Sequence, residues 1–204
     1  MRKSVHTLPA GYVERGRFTL KSRSTLLMLN LFGLGLVLAS AWFFIAIASF
    51  LRPEAEGEVF VFRIEGLSTL ITFASLLLTL VFTLILHEAV HGLGFRLLAG
   101  VKPQFAFRGT YAYAAAPGWF IPAEIYFWIG IAPLVVLSLL AIGLIAIVPL
   151  SALTYVILAA VMNFSGAVGD LWVAVQLLRA PRGSLALDQG DDITLYAPSH
   201  SPAD

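Results

Sequence analysis

Residues 67–98 read LSTLITFASLLLTLVFTLILHEAVHGLGFRLL, an apolar run broken by one polar cluster, His87, Glu88 and His91. A bilayer's hydrocarbon core takes about 20 apolar residues in helical form, so the run is long enough to cross. Two imidazoles and a carboxylate inside such a segment are costly to bury and mark a functional position by default.

Working outward, residues 25–50, 125–148 and 151–178 form three more apolar stretches of spanning length. Hydrophobic residues make up 59% of the 204-residue chain and charged residues 12%, about half the charged share of a soluble domain. The expected fold is an all-α integral membrane protein with four transmembrane helices and a short β-hairpin-like cytoplasmic loop. The first apolar run is too long for the h-region of a signal peptide and is expected to stay in the mature protein. Residues 1–24 read as a cytoplasmic N-terminal segment and residues 25–180 as the membrane domain. Residues 181–204, polar and supplied with Pro, Gly, Ser and Asp, read as a disordered cytoplasmic tail. Between residues 104 and 116, Phe105, Phe107, Tyr111 and Tyr113 alternate with small residues around Gly109. That pattern suits a short hairpin at the interface and an aromatic belt equally.

Basic residues set the orientation, because cytoplasmic flanks carry the excess of Lys and Arg. Arg2, Lys3, Arg15, Arg17, Lys21 and Arg23 precede the first stretch; Arg96 lies at the end of the second, and Lys102 and Arg108 follow it; Arg179 and Arg182 follow the fourth. Only Arg52 and Arg63 of the 13 basic residues fall on the opposite side, so both termini are expected in the cytoplasm. His6 and His200 lie in the polar termini and read as solvated.

On a helix, His87 and His91 share a face, so both rings can reach one metal ion while Glu88 beside them acts on a water held there. That is the chemistry of a zinc peptidase: the ion acidifies water and the glutamate takes its proton during attack on a peptide carbonyl. The chain has no cysteine, which excludes thiolate ligands and thiol nucleophiles. Zinc needs a third protein ligand. The metzincin position for it is occupied by Leu97, which excludes that class. Two carboxylates remain, Asp170 and Glu124. Asp170 is the one acidic residue inside the fourth stretch, in VMNFSGAVGDLW, and that isolation asks for a partner. Depth agrees: at 1.5 Å per residue His87 lies about 30 Å into the second stretch and Asp170 about 28 Å into the fourth. Both then sit near the cytoplasmic face. Glu124 lies near that face too, where capping of the third helix is its simpler role. Around Asp170, Ser165, Gly166, Ala167 and Gly169 would let the fourth helix approach the second, as would Gly92 and Gly94. Asn163 could hydrogen-bond substrate or an oxyanion, or simply join two helices.

HEAVHGLGF, PGWFIPAEIYFWIGIAPL leading into the third stretch, and NFSGAVGD in the fourth resemble the DUF3267 group of zincin membrane peptidases, which is distantly similar to site-2 proteases. The resemblance runs from about residue 8 to residue 178. It implies an integral-membrane metalloprotease that uses Zn2+, with His87, His91 and Asp170 as ligands and Glu88 as base. Site-2 proteases carry an Asp-Gly pair at the late ligand, whereas Leu171 follows Asp170 here.

The expectation is therefore a zinc-dependent endopeptidase working at the cytoplasmic edge of the bilayer. Its partners would be the lipid bilayer and a membrane or membrane-proximal protein or peptide, with no nucleic acid. The substrate would be held extended, as a strand added against residues 104–116. Two alternatives are an inactive membrane scaffold or adaptor that keeps the helix bundle, and a zinc hydrolase of a non-peptide substrate.

Overall fold

The computed structural model describes residues 3–19, 22–55, 57, 59–60, 66–107, 109, 112–190 and 192–199. Arg2, Lys21, Arg63, Arg108, Tyr111 and His200, named above, lie outside the described residues. The all-α, four-span expectation does not hold: among the described residues, five α-helices are accompanied by six strands in two antiparallel sheets. Three helices are long and apolar enough to cross a membrane. They are α1 (Arg23–Leu51), α2 (Gly66–Gly94), which continues as a π-helical turn over Phe95–Ala99, and α3 (Ala123–Ile147). Only 6% of the most apolar window of α2 is buried inside the protein, so its apolar surface is left for a nonpolar surrounding.

The fourth apolar stretch forms two helices, α4 (Leu150–Gly166) and α5 (Val168–Leu178), bent by 40° at the break. Gly166 and Gly169 bracket that break, and each glycine weakens a helix by about 1 kcal/mol relative to alanine. A Cβ at either would meet nothing within 4 Å, so these glycines make no close approach to α2. Their neighbours instead face α1, where a Cβ on Gly33 would lie 3.7 Å from Val168 and 3.9 Å from the Ser165 carbonyl.

The chain forms two compact units. In the first, residues 31–87 and 133–168, Phe44, Ala48, Ile145, Leu153 and Ile157 are buried together. Arg52 caps its α3 segment, donating to the carbonyls of Ile145 (3.3 Å) and Val148 (2.8 Å) and pairing with Glu54. A cation at a helix C-terminus meets the carbonyls that the helix itself cannot pair.

The second unit comprises residues 1–30, 88–132 and 169–204. Its sheet runs β1 (Tyr12–Thr19), β6 (Asp192–Pro198), β5 (Leu185–Asp188), β4 (Phe120–Pro122), all antiparallel. A separate hairpin pairs β2 (Gln104–Phe107) with β3 (Ala112–Ala115), Gln104 opposite Ala115, so these two segments pair as strands. The tail expected to be disordered supplies β5 and β6. Its composition is polar, but Leu185, Ala186, Ile193, Leu195 and Ala197 of these two strands are buried. Several of them pack with Ile121, Ile125, Tyr126, Ile129, Val173 and Leu177 in one core.

The β5–β6 turn contains Gly190 at φ +89°, a conformation that suits glycine, with its N–H donated to Asp188 Oδ1 at 2.7 Å. Asp188 is 3% exposed and also receives the Tyr126 hydroxyl. Burial pushes its carboxyl up to about 6, against the opposing pull of the Gly190 N–H, the Tyr126 hydroxyl and the positive charge available at His91. A folded-state pKa above the unfolded one means that the native state holds the proton longer. Stability from this group is therefore full near pH 4 and falls as pH rises through about 6, by on the order of 3 kcal/mol. Asp188→Asn, which mimics the protonated form, is expected to gain on the wild type in melting temperature as pH goes from about 4 to 7. A constant difference across that window would contradict the assignment.

Candidate metal centre

Helix α2 carries His87, Glu88 and His91 within about one turn, and its two histidines are 9% and 8% exposed. Each ring has a partner on its Nδ1. His91 Nδ1 lies 3.0 Å from the carbonyl oxygen of Ile129 on α3. That carbonyl is available because the residue four positions on is Pro133, inside the helix, and proline has no N–H to give back to it. His87 Nδ1 lies 3.0 Å from Asn163 Oδ1, and Asn163 Nδ2 donates to the Pro133 carbonyl at 3.3 Å.

These contacts fix both tautomers by elimination. The Pro133 oxygen can only accept, so the asparagine amide points its NH2 there and its oxygen at His87. Both imidazoles then carry hydrogen on Nδ1, which leaves each Nε2 as the atom that can face a metal ion. This is the orientation of a metal-bound histidine whose second nitrogen is tied to a carbonyl.

Asp170, in the first turn of α5 and 26% exposed at its side chain, places Oδ1 3.4 Å from His91 Nε2. One ligand atom from each of His87, His91 and Asp170 lies within 4.8 Å of the others. Two ligands about 2.1 Å from a tetrahedral zinc ion stand roughly 3.4 Å apart, which is the separation of His91 Nε2 from Asp170 Oδ1, and a set of two imidazoles and one carboxylate suits that ion. Three protein ligands leave a fourth position for reactants, as catalytic rather than structural zinc sites do.

Glu88 follows His87 on the helix and is half-buried. Glu124 is exposed in the first turn of α3 and does not belong to the ligand group. Both polar atoms of the Asn163 amide are engaged within the protein, one of them on His87. His6 is exposed, with its ring against Trp119 and Nδ1 3.2 Å from the Gly118 carbonyl. The glycines after His91 have distinct neighbours. A Cβ on Gly94 would stand 3.4 Å from the Ile129 side chain, so Gly94 lets α2 come close enough to α3 for His91 to reach the carbonyl. A Cβ on Gly92 would collide with the Phe105 ring of β2, which seats the hairpin on the helix beside His91.

Sequence reasoning missed Ile129 and Pro133. The available signal was a proline inside an apolar stretch, IGIAPL, which implies an unpaired carbonyl four residues earlier. Pro133→Ala restores an N–H that competes for the Ile129 oxygen, and Asn163→Leu removes the partner of His87. Each is expected to weaken zinc binding by roughly 10- to 100-fold, read by competition with a chromophoric chelator. Wild-type affinity in both variants would show that the ring orientation owes nothing to these carbonyls.

A family model described as "Putative zincin peptidase" matches residues 80–185, which include the HEAVH turn, the hairpin, α3, α4 and α5. No curated protein and no solved structure gives a significant match. On the matched half of its length, carrying both histidines and the aspartate that meets them, the chain belongs to the DUF3267 family.

Proposed function

We propose that the chain is a membrane-embedded, zinc-dependent endopeptidase with its active site at the HEAVH turn of α2. The observation that carries the reading is the convergence of His87, His91 and Asp170, with both histidine Nδ1 atoms tied to carbonyl oxygens. The zinc ion supplies Lewis-acid polarisation and lowers the pKa of water toward about 7. His87 and His91 would hold the ion through Nε2, and Asp170 would hold it through a carboxylate oxygen. Glu88 takes a proton from the attacking water as oxygen bonds to the peptide carbonyl carbon. It then returns that proton to the departing amine as the C–N bond breaks.

The substrate is a membrane or membrane-proximal protein in extended form, because helical carbonyls are shielded by their own hydrogen bonds. The β2–β3 hairpin offers strand edges for it, and β2 carries Phe105 against Gly92, next to His91. The bilayer placement is supported by α1, α2 and α3. Among the described residues every Lys and Arg except Arg52 belongs to the unit made of residues 1–30, 88–132 and 169–204. By the positive-inside rule that unit faces the cytoplasm.

Glu88→Gln is expected to keep one zinc per chain and lose cleavage of a fluorogenic peptide by about 100- to 10,000-fold. His87→Ala combined with His91→Ala is expected to lose the zinc itself. Undiminished cleavage by the Glu88 variant would overturn the mechanism, and retained zinc in the double variant would overturn the site.

A further inference from the structure

Outside the histidine site, a groove of about 560 Å³ opens between the first turns of α3 and the segment that follows α5. Glu124 and Arg182 both line it, and neither side chain makes a hydrogen bond or ion pair among the described residues. Two opposite charges that share a groove without pairing can bind the two ends of a zwitterion.

The groove is a fixed feature. The Ala123 N–H donates to the Ser184 carbonyl at 3.0 Å, and Ser184 donates twice to the Pro181 carbonyl, from N at 3.1 Å and from Oγ at 2.6 Å. Tyr12 Oη donates to the Gly183 carbonyl at 3.0 Å. The turn carrying Arg182 is thereby tied both to the start of α3 and to β1. The remaining lining is apolar, with Trp128 59% and Leu178 70% exposed. Tryptophan with one wet and one apolar side belongs at the boundary between headgroups and hydrocarbon, and α3 is one of the helices able to cross.

We propose that this groove binds a phospholipid whose headgroup carries a primary ammonium beside its phosphodiester, which is phosphatidylethanolamine. Arg182 takes the phosphate, Glu124 takes the ammonium, and the acyl chains lie over Trp128 and Leu178. Choline presents methyl groups and no N–H to Glu124; a glycerol headgroup has no cation for it; a serine headgroup adds a carboxylate that it repels. The proposal uses the bilayer placement given above but not the chemistry at His87 and His91.

The test is native mass spectrometry of the full-length protein, titrated in detergent with phosphatidylethanolamine, phosphatidylcholine or phosphatidylglycerol. Retention of the ethanolamine lipid is expected to exceed that of the other two by roughly tenfold, the worth of one charge-assisted hydrogen bond. Glu124→Gln should erase the preference over phosphatidylcholine while binding through phosphate persists. Arg182→Gln should weaken all three lipids together. Equal retention by the wild type, tighter binding of phosphatidylglycerol, or a preference that survives both substitutions would each overturn the proposal. Zinc content of the same samples reads the histidine site separately, so the lipid result stands or falls without it.

Discussion

An imidazole buried among apolar helices needs a partner for each of its nitrogens, since a stranded polar group costs about 1–3 kcal/mol. Two such rings lie one turn apart on α2, and both requirements are met through one proline. By lacking an N–H, Pro133 leaves the Ile129 oxygen to His91. By its own carbonyl it orients Asn163, which in turn holds His87. A substitution that usually weakens a helix thus converts α3 into the scaffold that aims both rings.

The second layer of support comes from the sheet. β4 runs directly into α3, and its strand partner β5 brings Asp188 to Tyr126, three residues before Ile129. Ile129, Tyr126 and Ile125 share a core with Ala186, Ile193 and Leu195. The position of the Ile129 carbonyl therefore depends on strands that contribute no ligand.

The site was far more legible in the sequence than the fold around it. His87 and His91 follow from helical spacing, and Asp170 from being a lone acid in an apolar stretch at matching depth. Those are local arguments, and the structure brings the three together. Strands β1 and β6 pair across nearly the whole chain, and such long-range pairing leaves only weak alternation behind. In β1 the basic residues Arg15 and Arg17 drew attention as orientation signals, while Val13, Phe18 and the bulge near Gly16 passed unread. In the tail, averaging over Pro, Gly, Ser and Asp hid ITLYA, a β-branched and aromatic run just past a glycine turn. The break between α4 and α5 was masked in the opposite way. Glycines flanking Ala167 were credited with close helix packing, when their poor helix propensity was the relevant property.

The strand pairing has a consequence for biosynthesis. Ribosomes deliver the chain in order at roughly 5–20 residues per second, so all five helices are complete before β5 and β6 emerge. Until then β1 and β4 lack their partners, and the first turns of α3 lack the Ala186, Ile193 and Leu195 side chains that bury them. A nascent chain already carrying both histidines and Asp170 still has an unsupported α3. The Ile129 carbonyl beside His91 therefore gains its full support only after β5 and β6 have been made.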